Sequence, residues 1–398
     1  MARKLVGLLL LLSFSGVPMC EAQIEDANLY EVTKQSLRDN EILIETQCSI
    51  GLSGQVEYMV HTVKKGNVSP RTFHLFKESD LENALNKGEA LYTGMAVAQL
   101  LLKPLQKELD GVKRIFFKPS GKLRQFAIEY CNVGDGKMLA EKYEFYRLTS
   151  SAVLTQRQSR RKPYTSYIIF GGIDFDRLPD FEEKYQRGAT NSRYGYLQDS
   201  YEAAKDIHHY MTEMGLHGML FANDEATETI FKTLPWQDVQ VFFIETHGIA
   251  DPRKGNCPYP NALMLAGASY LMEGGIMPEG KEDGLLTIEE IASQDMSNVD
   301  LAVISACKSA LGEFDNQRVD GLMRAFKAAG VKSLVMTTDD VVDYVSGEVW
   351  KLFFRNIANG MSKRESLLDA LKRVQTIHDG FYSSPKFWAP FILIDGLD

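Results

Sequence analysis

Basic residues are in deficit, and that shortfall removes one class of partner at the outset. Lysine and arginine total 44 against 53 acidic residues, a net charge of -9, and no basic stripe offsets the balance, so nucleic acid is not an expected partner. The nearest thing to a basic patch is Arg157, Arg160, Arg161 and Lys162. It reads as a solvated linker. Cysteine is sparse too, with five in 398 residues, too few for a disulfide scaffold and at spacings that match no metal site. Cys48 with Cys131 is the one pair considered for a bridge, and neither a metal nor another cofactor is expected. Long apolar runs are missing beyond the N-terminus, so no membrane span is predicted. Repeats of solenoid period are absent as well.

What remains is an ordinary globular composition, 44% apolar and 24% charged, with enough length for a full core. The N-terminus carries Arg3 and Lys4, an unbroken apolar run over residues 5–12, and Pro18. Cys20 and Ala22 then stand three and one residues before Gln23, the small-residue pattern of signal peptidase cleavage. Residues 1–22 are therefore expected to be a signal peptide, and the mature chain to be periplasmic or extracellular. Lipid anchoring at Cys20 is the lesser alternative, because Met19 occupies a place where such sites take a small residue.

Residues 23–155 read as a smaller α/β lobe. Strands are expected at 41–46, 56–63 and 72–76, then a helical stripe over 89–109 interrupted by Pro104, then extended pieces at 115–117 and 123–129. The polar stretch 155–163 is the expected boundary. From 156 to 398 strands and helices alternate regularly, the pattern of a mainly parallel sheet covered on both faces. Strands are expected at 167–170, 239–244, 301–304, 333–337 and 391–394. Helices are expected at 199–214 with Asp199 as N-cap, 226–234, 319–329, 344–358, and after the capping pairs Thr287 with Glu290 and Ser362 with Glu365. The loop-rich stretch 249–284 is expected to be a mobile segment that orders, or is cut, on activation.

In open α/β sheets reactive groups collect beyond the carboxyl ends of strands. His247 and Cys307 each follow an apolar strand directly, so both are expected at one sheet edge. A thiol attacks an amide carbonyl as its thiolate, and an imidazole can take that proton and later return it to the leaving amine. Gly248 allows close approach of backbone, so its amide and that of Cys307 are expected to form an oxyanion hole. Asp174 and Asp339 lie just past two further strands, where a carboxylate would accept a guanidinium. As turn residues they need no such role. His208 and His209 are neighbours on one helix and face apart, which favours surface or core-edge roles over metal binding. Gly171 and Gly172 lack the context of a phosphate loop.

Phe-Ile-Glu-Thr-His-Gly (243–248) and Val-Ile-Ser-Ala-Cys-Lys-Ser-Ala-Leu-Gly (303–312) resemble the two active-site motifs of CHAT peptidases, a caspase-related family often joined to tetratricopeptide repeats. Residues 286–291, Gly-Leu-Met-Arg-Ala-Phe-Lys-Ala-Ala-Gly (321–330), Ser-Leu-Val (333–335) and Phe-Trp-Ala-Pro-Phe-Ile-Leu (387–393) resemble that family in the expected order. Residues 104–123, 139–143 and 148–152 resemble its N-terminal portion. The His-to-Cys spacing is close to the roughly 50 residues seen in caspases.

The resemblance implies a caspase-like three-layer α/β sandwich with a mainly parallel central sheet, preceded by the smaller lobe, and His247 with Cys307 as a catalytic dyad. Two departures stand out: Thr337-Thr338-Asp339 replaces the family's usual tryptophan region, and no tetratricopeptide array precedes the domain. The expected activity is that of an exported cysteine endopeptidase acting on protein or peptide substrates, with basic residues preferred at the cut and a regulatory protein as a further partner. The rival is a catalytically silent module of the same fold that holds a peptide or protein in its cleft.

Overall fold

The computed structural model describes residues 27–157, 163–177, 194–249, 259, 261–306, 313–315 and 318–397. Eleven strands form one sheet. They are β1 Glu41–Ile50, β2 Val56–Val63, β3 Arg71–Lys77, β4 Arg114–Lys118, β5 Glu144–Arg147, β6 Ser166–Ile173, β7 His217–Asn223, β8 Val241–Glu245, β9 Leu301–Ser305, β10 Ser333–Thr337 and β11 Phe391–Ile394. Their order across the sheet is β3-β2-β1-β4-β5-β11-β10-β9-β8-β6-β7.

Two parallel blocks make up this order. Strands β1, β4, β5 and β11 run together, and β10, β9, β8, β6 and β7 run together. The blocks meet antiparallel where β10 pairs with β11, and β2 and β3 add an antiparallel edge. Just past β11, the buried carboxylate of Asp395 ties that strand to the end of β5, accepting from the Thr149 amide at 2.8 Å and the Thr149 hydroxyl at 2.6 Å. Lys327 pairs with the same carboxylate at 2.8 Å.

Every residue of β8, β9, β10 and β11 is buried, as strands covered on both faces require. Successive side chains on β8 show the two cover layers, because neighbours on a strand point to opposite faces. Phe242 packs on Phe231 at 5.8 Å and Phe326 at 6.2 Å, from the helices Glu228–Thr233 and Leu322–Ala328. Phe243 packs on Trp350 at 6.1 Å and Phe354 at 5.2 Å, both on the Asp343–Ala358 helix. Each such ring, fully buried, contributes about 1.5–3 kcal/mol. The Gln198–Glu213 and Lys363–Val374 helices flank Asp343–Ala358 and complete its layer. Three layers result.

Several expectations need correcting. The stretch 123–129 is not extended: it lies in two 3-10 turns, Gly121–Arg124 and Ile128–Tyr130. The reason is Arg147, a buried guanidinium that binds Glu129 at 3.2 and 2.6 Å and takes the Phe126 carbonyl at 2.8 Å, giving partners that a strand would have found in a neighbour. The stripe over 89–109 becomes the short helix Ala90–Thr93 and the π-helix Ala98–Leu102. Arg157 is no solvated linker residue, since it grips the buried Glu41 with two bonds of 2.7 and 2.8 Å; Arg160, Arg161 and Lys162 lie outside the described residues.

Asp199 is in the first turn of its helix rather than at the cap. The helix amides of Asp199 and Ser200 are instead capped from another helix, by the Asp343 carboxylate at 3.1 Å each. Part of the supposedly mobile 249–284 stretch is core: Ala262–Met264 is a strand, Ala268–Met272 a helix, and Leu263, Met264 and Leu265 are wholly buried. Cys131 is a free thiol sealed in the core, so the considered bridge to Cys48 is not formed. The capping pairs Thr287 with Glu290 and Ser362 with Glu365 are present. Among the described residues no helix is long and apolar enough to cross a membrane. Residues 1–22, expected to be a signal peptide, lie outside the described residues.

Candidate active site

Strands β8 and β9 are parallel neighbours, and their register pairs residues sixty apart, from Val241 with Leu301 to Glu245 with Ser305. The same sixty separates His247 from Cys307. Both strands are apolar and sealed until that last pair, where Glu245 and Ser305 bring polar atoms into the core. Beyond it the chain stays tied across the strands, because the Thr246 amide donates to the Ser305 carbonyl at 2.9 Å. On the far side of β9, the Thr337 hydroxyl of β10 donates to the Ala306 carbonyl at 2.5 Å. Cys307 itself lies outside the described residues.

His247 is half-exposed at the carboxyl edge of β8. Its backbone carbonyl accepts from the Met264 amide at 3.0 Å, and Gly248–Ile249 then pairs with Ala262–Met264 in a small antiparallel sheet. The ring packs on Phe175 at 4.8 Å and Tyr194 at 5.8 Å. Its Nε2 is 3.0 Å from the Gly195 carbonyl oxygen. A carbonyl can only accept, so Nε2 carries the hydrogen and the neutral ring keeps its lone pair on Nδ1. That assigns the tautomer and leaves one nitrogen able to take a proton.

Asp343 stands close enough for the His247 charge to ease its ionisation, although burial holds its carboxyl above the usual range. Its two oxygens are engaged by the helix amides already described. The described part of the site thus has a half-buried imidazole with a fixed tautomer and an acidic group at a helix N-terminus.

The other candidates flank this centre. Strand order β6-β8-β9-β10 puts Asp174, His247, Cys307 and Asp339 after the carboxyl ends of four adjacent parallel strands. Asp174 is half-buried and its Oδ1 accepts from the Asp176 amide at 3.1 Å. Asp339 is exposed and accepts from the Asp340 amide at 2.9 Å. Asp174 opens a tight turn, its carbonyl accepting from the Arg177 amide at 3.3 Å, and Asp339 sits in a bend. Gly248 occupies a strand position opposite Leu263.

Residues without a site role also have physical explanations. A Cβ on Gly171 would lie 2.7 Å from Ala204 Cβ, and one on Gly172 would lie 2.5 Å from Tyr201 Cβ. The glycine pair therefore seats the Gln198–Glu213 helix on β6. His208 bonds the Tyr167 hydroxyl at 2.9 Å and His209 pairs with Glu213 at 3.2 Å. Among the described residues Glu228, Glu282 and Glu290 form one cluster of carboxylates. Lys232 sits among them, bonded to Glu290 and 3.2 and 2.8 Å from the other two.

Gly195 and Asp343 were not among the sequence candidates, and neither was Glu245. A backbone carbonyl leaves no signature in residue type, and Asp343 reads as an ordinary helix-start acid. Glu245 did carry a signal: it is a charged residue at the end of a strand otherwise made of Val, Phe, Phe and Ile, where burial of charge is costly.

No curated protein sequence matches the chain. Among solved structures, the separase of the Saccharomyces cerevisiae separase–securin complex is similar over 92% of this chain and 30% of its own, at 9% identity and a TM-score of 0.55. The Arg-specific cysteine proteinase gingipain R is similar over 80% of this chain and 75% of its own, at 9% identity and a TM-score of 0.45. The likeness to separase is one of fold alone, and that fold is caspase-like α/β, as the motifs implied. The model of the CHAT domain family matches residues 92–395, most of the chain, and the chain belongs to that family.

Proposed function

We propose that this chain is an exported cysteine endopeptidase in which Cys307 is the nucleophile and His247 its general base. The observation that supports it most is the register of β8 and β9, neighbouring strands about 4.8 Å apart in which Glu245 pairs with Ser305, because His247 and Cys307 each follow two residues later in the sequence. With Nε2–H held by Gly195, Nδ1 takes the Sγ proton. The thiolate attacks the scissile carbonyl carbon, and the oxyanion lies between the amides of Gly248 and Cys307. Collapse breaks the C–N bond as the imidazolium returns its proton to the amine. Water, deprotonated by the same imidazole, then hydrolyses the thioester and frees the thiol.

Asp174 and Asp339 bracket this centre on the outer strands, and their carboxylates favour Arg or Lys beside the cut bond. The separase of similar fold is in a complex with securin, and a protein partner is part of the reading here as well. Export through residues 1–22 completes it, with a mature N-terminus at Gln23 as the mass that tests it.

The deciding experiment incubates the chain from Gln23 onward with a diverse peptide library under reducing conditions, beside Cys307→Ala and His247→Ala. Cleavage lost in both variants establishes the dyad and reads out the preferred residue. No cleavage by the parent, together with a Cys307 that alkylates no faster than in His247→Ala, refutes the peptidase and leaves the silent binding module.

A further inference from the structure

The polar atoms at the last register pair of β8 and β9 form a chain of bonds that leads through the sheet to the covering helix. Trp350 Nε1 donates to Ser305 Oγ at 2.8 Å. An indole N–H only donates, so Ser305 accepts there and places its own proton on Glu245 Oε1 at 3.0 Å. Ser346 Oγ lies 2.6 Å from the same Oε1 and 2.9 Å from the Asp343 carbonyl oxygen. The carbonyl only accepts, and Ser346 has one proton to give. Toward a carboxylate, Ser346 donates to Oε1; in the neutral acid Glu245 closes the 2.6 Å contact with its own proton and Ser346 gives its proton to Asp343. The direction is then uniform: Trp350 to Ser305 to Glu245 to Ser346 to Asp343.

Glu245 Oε2 is buried, and none of these bonds reaches it. That position costs a neutral acid far less than a carboxylate. Burial, reinforced by the Asp343 charge and only partly offset by the Ser346, Ser305 and Ser200 hydroxyls, pushes the group up to about 8.

We propose that Glu245 is a positioning residue for the active site, the hub of a hydrogen-bond relay that fixes the ends of β8 and β9 relative to each other and to the Asp343–Ala358 helix. The inference rests on the peptidase reading above. Glu245 stands two residues before His247, and its partner Ser305 two residues before Cys307. The relay ends at Asp343, whose side chain caps the Gln198–Glu213 helix and faces the His247 charge. Apolar packing alone leaves strand ends free to slide; directed bonds through one carboxyl hold a single geometry. Misplacement by 1 Å costs a reaction about a hundredfold.

Glu245→Gln keeps the shape but offers no oxygen that both accepts and donates. The expected result is a fall in kcat of about ten- to a hundredfold, with KM near the parent value and no loss of thermal midpoint at the pH of the assay. Ser346→Ala and Trp350→Phe cut the relay on either side of the carboxyl and are expected to lower kcat in the same way by smaller factors. They also serve if Glu245→Gln fails to fold. Parent-like kcat in any folded Glu245 variant, or in both relay variants, overturns the inference. So does a loss that follows KM or thermal midpoint instead of kcat. These outcomes leave the peptidase reading intact, because the parent still cleaves; a parent that neither cleaves nor shows His247-dependent alkylation of Cys307 removes both.

Discussion

Replacing Glu245 by Gln takes away a proton that the folded chain retains and the unfolded chain releases. An exposed glutamate titrates near 4.3, whereas burial pushes Glu245 up to about 8 in the fold. Between those values the folded state binds close to one proton more than the unfolded state, so stability falls as pH rises, by about 1.36 kcal/mol per pH unit. Below the interval both states are protonated and the term vanishes; above it both are ionised and the whole penalty applies. Across the interval it amounts to about 4–5 kcal/mol. Glu228, which burial also raises to about 8, is present in both proteins and cancels in the difference. Urea midpoints of parent and Glu245→Gln at pH 5, 6, 7 and 8 give the comparison. The variant is expected to gain steadily on the parent as pH rises, and parallel curves would refute the assignment of a neutral acid at this position.

Three further predictions follow from other parts of the molecule. Glu129→Ala strands the buried Arg147 guanidinium and is expected to cost about 3–5 kcal/mol in chemical denaturation, while Glu129→Leu with Arg147→Met together costs less than either alone; a larger loss in the double variant contradicts this. Gly172→Ala demands a side chain at a φ of 62° and against Tyr201, and a drop of about 1–3 kcal/mol is expected, with a parent-like midpoint as the contrary result. Asp174→Asn is expected to reduce kcat/KM for substrates cut after Arg or Lys by about ten- to a hundredfold, the worth of a charge-assisted bond, without change for neutral residues. Equal effects on both classes would remove Asp174 from substrate recognition.

The second half of the fold was largely legible. Strands β8 to β11 are short apolar runs bounded by turn residues, and their observed limits fall within a residue or two of those expected. The position of His247 just past β8 was legible for the same reason, since a strand end is visible where apolar residues stop. What could not be read were partners distant in sequence. Residues 123–129 read as an extended piece, and the buried Arg147 makes them turn. Asp199 looks like an N-cap, yet the cap comes from Asp343, 144 positions away. The order of strands, and the antiparallel joint between β10 and β11, depend on which edges meet in space and have no local signature.

That joint bears on how the molecule is assembled. β11 is the last of the eleven strands in sequence but the sixth across the sheet, lying between β5 and β10. Until it is synthesised the two parallel blocks have nothing to join them, and each offers an open strand edge, the sort of surface on which partly folded chains associate. Union of the blocks is therefore a late, long-range event of the kind that slows folding. A cell making this chain has to shelter two half-sheets until β11, which follows all ten of the other strands in sequence, can slot between them.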